Sequence, residues 1–166
     1  MGKYLITGVQ GSGKTTVIET LKNFGYTAYN TDSVHGSTKL QNIETGDTID
    51  WPKGSVDWGK YAWNWQLEKL IKLLKSDDTV FIGAVVSNQE EYYDIFDKVF
   101  VIIVSPETLR KRLSRHEHKS HHLPGVIERM ISNLENRQYE YIKSGLIPVS
   151  GEGTPVETAN LILKKI

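Results

Sequence analysis

The chain contains no cysteine, which excludes disulfide cross-links and thiolate metal sites and fits a reducing compartment. It has no excess charge of either sign: 20 Lys and Arg balance 20 Asp and Glu, so nothing in the overall charge favours a nucleic-acid or membrane-surface partner. No apolar run approaches the roughly 20 residues that a membrane-crossing helix requires. The N-terminus enters a strand at once and leaves no room for a signal peptide, so a soluble cytoplasmic protein is expected. Arginine is missing from the first half: Arg110, Arg112, Arg115, Arg129 and Arg137 all lie in the second. Tryptophan shows the opposite bias, with Trp51, Trp58, Trp63 and Trp65 in one short stretch. The two halves therefore carry different chemistry. A length of 166 residues suits one domain, 1–166, and no repeat or linker marks a second.

Against these absences stands one dense motif. Gly8-Val9-Gln10-Gly11-Ser12-Gly13-Lys14-Thr15 is a G-x-x-x-x-G-K-T phosphate-binding loop, preceded by the apolar run Tyr4–Thr7 and followed by a helical pattern with Val17, Ile18 and Leu21 on one face. Glycines let the backbone curl so that successive amides point at phosphate oxygens, and the following helix adds the positive end of its dipole. Gly8, Gln10, Gly11, Ser12, Gly13, Lys14, Thr15 and Thr16 are expected to bind a nucleoside triphosphate. Lys14 reaches the outer phosphates, and the Thr15 hydroxyl ligates Mg2+.

Further β-branched runs at Tyr26–Tyr29, Thr79–Val86, Val99–Val104 and Leu146–Val149 alternate with helical patterns, which predicts an α/β fold with a parallel sheet covered on both faces. Two insertions interrupt this rhythm. Residues 31–56 read mostly as loop. Residues 116–125, with His116, His118, His121 and His122, read as a hydrated cover rather than a metal site, because the spacing matches no closed set and no cysteine assists.

From Asp57 to Lys75 the spacing of Trp63, Leu67, Leu70, Ile71 and Leu74 predicts a helix with one core face. Trp58, Tyr61 and Trp65 then fall on the opposite side. Three readings stand for them: packing beneath the first insertion, a flat wall that binds an acceptor ring such as a nucleobase, or an exposed protein contact. Asp32, at the end of the second strand, is placed to accept a hydroxyl proton, to orient an acceptor or to hold Mg2+ through water, although Thr31-Asp32-Ser33 is also good capping sequence. Arg112 and Arg115 share one flank of the helix after the fourth strand, and Arg137 borders the apolar stripe of a later helix running through Ile127, Met130, Ile131, Leu134 and Tyr141. These three arginines are expected to neutralise charge during phosphoryl transfer, and Arg112 also to contact the nucleotide.

With these residues in view, the chain resembles the small P-loop kinases, the group of adenylate, shikimate and gluconate kinases, over essentially its whole length. The phosphate loop, Asp32, the Arg112-Leu113-x-Arg115 pattern before the His-rich insertion, and Ser150-Gly151-Glu152-Gly153-Thr154-Pro155 carry the likeness. The resemblance implies a three-layer αβα sandwich with a five-stranded parallel sheet in the order 2-3-1-4-5. It further implies an acceptor-binding segment at about 31–75, a lid at about 116–125, and a loop around Gly151 that borders adenine. The activity implied is transfer of the ATP γ-phosphate to a small-molecule acceptor. The run Ser87–Phe100 is similar to kinase-like ATPases whose acceptors the likeness does not name.

Family members acting on anionic acceptors hold them with arginine in the first half. Here only Lys39, Lys53 and Lys60 could substitute, as point charges of less defined geometry. That tilts the expectation toward a neutral or weakly charged acceptor, such as a nucleoside, over a nucleotide. The alternative from another class is an ATP-binding regulatory protein or slow ATPase with no small acceptor. A monomer or homodimer without nucleic-acid or membrane partners completes the expectation.

Overall fold

Along the chain the elements are β1 (Lys3–Thr7), α1 (Lys14–Asn23), β2 (Thr27–Asn30), β3 (Thr38–Asn42), β4 (Thr48–Ile49), β5 (Tyr61–Trp65), α2 (Leu67–Leu74), β6 (Val80–Gly83), β7 (Lys98–Ile103), α3 (Pro106–Arg115), α4 (Val126–Ser132), α5 (Leu134–Lys143), β8 (Ile147–Ser150) and α6 (Pro155–Leu163). Two short 3-10 turns, Thr31–Ser33 and Gln89–Ile95, follow β2 and β6. The computed structural model describes residues 1–53, 55–76, 78–115 and 125–166. The lid expected at 116–125 falls outside the described residues except for Gly125, which precedes α4.

Five strands form one parallel sheet in the order β2-β6-β1-β7-β8, which is 2-3-1-4-5 when these strands alone are counted. The period-2 alternation of a strand sends neighbouring side chains to opposite faces. Ile6 and Phe81 therefore join Val17, Ile18 and Leu21 of α1 in one core, together with Leu109 and Leu113 of α3. Leu5 and Ile82 join Leu70 and Leu74 of α2 in the other. Every residue of β6 is buried, which is why Val80-Phe81-Ile82-Gly83 reads as a continuous apolar run. This three-layer packing stacks the carboxyl ends of β1, β2 and β6 side by side, where α/β sheets bind ligands.

Where β6 passes under α1 the approach is close. A Cβ on Gly83 would lie 2.5 Å from Ile18 Cγ1. Gly83→Ala is expected to destabilise the fold by about 1–3 kcal/mol through overpacking, read as a lowered urea midpoint with an unchanged denaturant slope.

The segment 31–75 differs most from expectation. Residues 57–75 are not one helix, and only Leu67–Leu74 is helical. Tyr61-Ala62-Trp63-Asn64-Trp65 alternates aromatic with small or polar residues, and that period of two forms β5. The 31–56 insertion is mostly loop, as expected, but it contributes two strands: β3 pairs antiparallel with both β4 and β5 in a second, three-stranded sheet. The later helix breaks at Asn133 into α4 and α5, although Ile127, Met130, Ile131 and Leu134 keep their common apolar side. Among the described residues no helix is long and apolar enough to cross a membrane.

Candidate active site

The loop between β1 and α1 is held by its own backbone. Ser12 N–H donates to the Val9 carbonyl at 3.1 Å. Gly8 takes φ 145°, and a Cβ there would stand 2.9 Å from both the Ile102 carbonyl and Ser12 Oγ. Gly13, the residue before α1, takes φ 101°, a left-handed conformation that lets the chain turn straight into the helix. Lys14 Nζ donates to the Gly8 carbonyl at 2.9 Å and the Val9 carbonyl at 2.8 Å, so its ammonium lies folded over the loop. Enclosure lowers its pKa from 10.5 to about 8, and the nearby Asp32 carboxylate opposes the shift. Ser12 Oγ is buried and has no hydrogen-bond partner among the described residues, a polar atom that an anion in the loop could satisfy.

Beside the loop, the end of β2 brings three polar groups together. Asn30 Nδ2 donates to Thr15 Oγ1 at 3.0 Å, and Asn30 Oδ1 accepts from the Asp32 backbone at 3.3 Å. Asp32 Oδ1 accepts the indole N–H of Trp63 at 2.9 Å. Asn30 thus joins Thr15 of the loop to the Asp32 backbone, the Asp32 charge is felt at Lys14, and Trp63 fixes one carboxylate oxygen. The sequence placed Asp32 here but missed Asn30 and Trp63. Asn30 could have been found as the polar residue ending an apolar strand. Trp63 was hidden when β5 was read as helix.

Arg112, on α3, is half-buried and forks between two backbone carbonyls, Ser12 at 2.7 Å from Nη1 and Gly151 at 2.6 Å from Nη2. It ties the phosphate loop to the turn after β8. Glu152 fastens that turn to the start of α3, accepting from Ser105 N and Thr108 Oγ1, each at 2.6 Å. These bonds hold the Glu152 carboxyl below the usual range. Arg115 and Arg137 are both exposed, on α3 and α5. Arg137 lies close enough to Tyr141 to oppose the upward push that burial gives the Tyr141 phenol.

A polar chain unforeseen in the sequence runs behind the loop. Buried Thr7, the residue before Gly8, donates to Gln89 Oε1 at 3.0 Å, and Gln89 Nε2 donates to Tyr93 Oη at 2.9 Å. Tyr141 from α5 lies close to both Thr7 and Gln89, and these polar neighbours oppose the upward push of burial on its phenol. Burial pushes the Tyr93 phenol up to about 12, so these groups stay neutral and act as fixed dipoles. Buried polar networks of this kind fix geometry, here that of the strand feeding the loop.

The three aromatics expected on one face separate. Trp65 is only 2 % exposed, belongs to the core beneath the sheet, and donates its indole N–H to Thr31 Oγ1 at 3.0 Å. It is therefore a packing residue with no face open to an acceptor, a correction that follows from its place on a strand. Tyr61 is half-buried on the same strand. Trp58 precedes the strand, stays exposed and packs at 6.0 Å from Trp51, whose ring meets Trp63 at 5.4 Å.

A phosphate loop between β1 and α1, in a 2-3-1-4-5 parallel sheet, is the fold of the small P-loop kinases. The chain belongs to the AAA domain family, whose model matches residues 5–143. It is 26% identical to a dephospho-CoA kinase of Streptococcus thermophilus (strain ATCC BAA-250 / LMG 18311), over 69% of this chain and 73% of that one. Its fold is shared with a deoxyadenosine kinase from M. mycoides with bound dATP (TM-score 0.60, 15% identity, 98% of both chains). It is shared also with a shikimate kinase from Aquifex aeolicus vf5 (TM-score 0.59, 20% identity, 98% of this chain and 94% of that one). A gluconokinase from Sinorhizobium meliloti 1021 aligns with a TM-score of 0.53 at 17% identity, over 98% of this chain and 90% of the other. These relatives are kinases of nucleosides and other small molecules.

Proposed function

We propose that residues 1–166 form one kinase domain that moves the ATP γ-phosphate to a hydroxyl of a small molecule held by the 31–75 segment. The observation that carries this reading is the Asn30 bridge from Thr15 of the phosphate loop to Asp32, with Trp63 holding one oxygen of the carboxylate. The loop amides and the N-terminus of α1 bind the triphosphate, and Lys14 exchanges the Gly8 and Val9 carbonyls for its outer phosphate oxygens. The acceptor hydroxyl gives its proton to Asp32 as its oxygen bonds to the γ-phosphorus. The bond from that phosphorus to the β–γ bridging oxygen breaks, and ADP leaves. Arg112 holds the loop against the Gly151 turn, the side assigned to adenine. Arg137, whose charge reaches Tyr141, and Arg115, exposed on α3, are assigned to supply positive charge around the transferred group.

The donor set suits magnesium. Thr15 Oγ1 accepts from Asn30 and retains a second lone pair, and Asp32 adds a carboxylate, both hard oxygen ligands. Thr15 would hold the ion directly and Asp32 through water, which leaves the carboxylate free as a base, and the bound ion would neutralise charge on the phosphate oxygens. Use of ATP and the absence of cysteine fit a cytoplasmic reaction.

The test is ADP formation from Mg·ATP in the presence of nucleosides, nucleotides, sugars, hydroxy acids and amino alcohols. At least one acceptor class should raise the rate about a hundredfold above the water background. Tight ATP binding with no stimulation by any acceptor would place the protein among ATP-binding regulators or slow ATPases instead.

Arg112→Ala removes two charge-assisted bonds at once and is expected to weaken ATP binding about tenfold by calorimetry. Arg112→Lys should recover only part of this, because an ammonium lacks the fork that serves two carbonyls.

A further inference from the structure

The tryptophan cluster beside Asp32 has a geometry that narrows the acceptor. Trp51 and Trp58 are 57% and 59% exposed, unusual for the largest apolar side chains. Their planes do not run parallel. Trp51 meets Trp58 at 62° and Trp63 at 85°, so these contacts form no slot of the kind that sandwiches a nucleobase. Rings turned at steep angles around one corner present indole faces to a rounded group, and the negative face of indole attracts cations more strongly than any other side-chain ring. The local charge agrees. Asp50 and Asp57 each immediately precede an exposed indole, in Asp50-Trp51 and Asp57-Trp58. The segment from Thr31 to Gln66 carries five carboxylates (Asp32, Glu44, Asp47, Asp50 and Asp57) against Lys39, Lys53 and Lys60, and no arginine. Trp63 links the cluster to the reaction centre, because the ring that touches Trp51 is the one whose N–H holds Asp32.

We infer that Trp51, Trp58 and Trp63 form an open aromatic corner that binds the cationic end of a hydroxyalkylammonium acceptor, an amino alcohol whose amine is protonated or quaternary and whose hydroxyl is delivered to Asp32. This rests on the kinase reading for its hydroxyl end only. The cation-binding end is tested without ATP. Tetramethylammonium chloride is titrated against the intrinsic tryptophan fluorescence, with sodium chloride and the neutral, similarly shaped tert-butanol as controls. Tetramethylammonium should bind at least fivefold more tightly than tert-butanol. Trp58→Ala and Trp51→Ala, both at exposed positions and checked for native circular dichroism, should each remove most of the difference. Equal responses to the cation and its neutral counterpart overturn the inference, as does binding that survives both substitutions. In the acceptor assay, choline should exceed its neutral isostere 3,3-dimethylbutan-1-ol at least tenfold in kcat/KM. Turnover of the isostere or of nucleosides at equal efficiency refutes the cation site and leaves the kinase standing. Tetramethylammonium binding without phosphorylation of any acceptor refutes the kinase and leaves the cation site standing.

Discussion

Lys14→Met should lose about a thousandfold or more in acceptor-stimulated ADP formation while the protein remains folded. The substitution keeps the length and apolar stem of the side chain and deletes only the ammonium, the charge that tracks the transferring phosphoryl group. ATP binding should weaken by a smaller factor, about tenfold, because the loop amides and the dipole of α1 remain. The lowered pKa of Lys14 adds a signature that a merely structural lysine would not give. In the nucleotide-free protein enclosure brings this pKa to about 8, and a bound triphosphate, adding negative charge, raises it again. Above pH 8 the free protein lacks the proton that the complex holds, so ATP binding takes up a proton and its affinity falls as pH rises through 8. Calorimetry at pH 9 in buffers of different ionisation enthalpy should register this uptake in the wild type and none from this position in Lys14→Met. Folding has the opposite sign. Between pH 8 and the unfolded value of 10.5 the unfolded chain binds the proton that the native state has released. Stability contributed by this group therefore rises across that window, and below it the native state carries the full cost of enclosing the charge. No proton uptake at pH 9 would remove Lys14 from the phosphate site.

Much of this arrangement is legible in the sequence, and the reasons are local. The phosphate loop is an eight-residue signal whose conformation is dictated by its own glycines. The core strands are marked by apolar runs that only a sheet buried on both faces requires. The order of those strands came from family resemblance, and the sheet has it. The acceptor side was misread because helical and strand periods overlap over short stretches. Trp63, Leu67, Leu70, Ile71 and Leu74 fit a helical stripe even though β5 ends at Trp65 and a new element starts at Leu67. The strict alternation of Tyr61, Trp63 and Trp65 was the better guide, and aromatic residues favour strands. That slip misplaced Trp65, which lies in the core, and hid the second task of Trp63, which packs half-buried against the same core while its N–H holds Asp32. The chain from Thr7 through Gln89 to Tyr93 could not be read at all, since its members lie far apart in sequence and only the sheet brings them together.

Asp32→Asn isolates the proton-accepting step from the architecture that surrounds it. The asparagine retains an oxygen able to accept from Trp63 Nε1, so the turn after β2 and the contact with β5 survive. Its amide cannot take a proton from the acceptor hydroxyl. The expected outcome is a fall in kcat of about a hundredfold to ten-thousandfold, with ATP affinity at neutral pH changed no more than about threefold. Trp63→Phe keeps an aromatic ring against Trp51 but deletes the N–H, leaving the carboxylate chemically competent and free to rotate. It should cost less, about tenfold in kcat, again with little change in ATP affinity, which marks Trp63 as a positioning residue. The two variants also part in their effect on Lys14. The Asp32 charge raises the Lys14 pKa, so Asp32→Asn should move the pH at which ATP binding starts to take up a proton below 8, whereas Trp63→Phe, which keeps the charge, should leave it near 8. Wild-type turnover in Asp32→Asn would assign the proton elsewhere. An unmoved titration in that variant would show that Asp32 and Lys14 do not share the site in solution, and a carboxylate without that neighbour could not act on the phosphate that Lys14 holds.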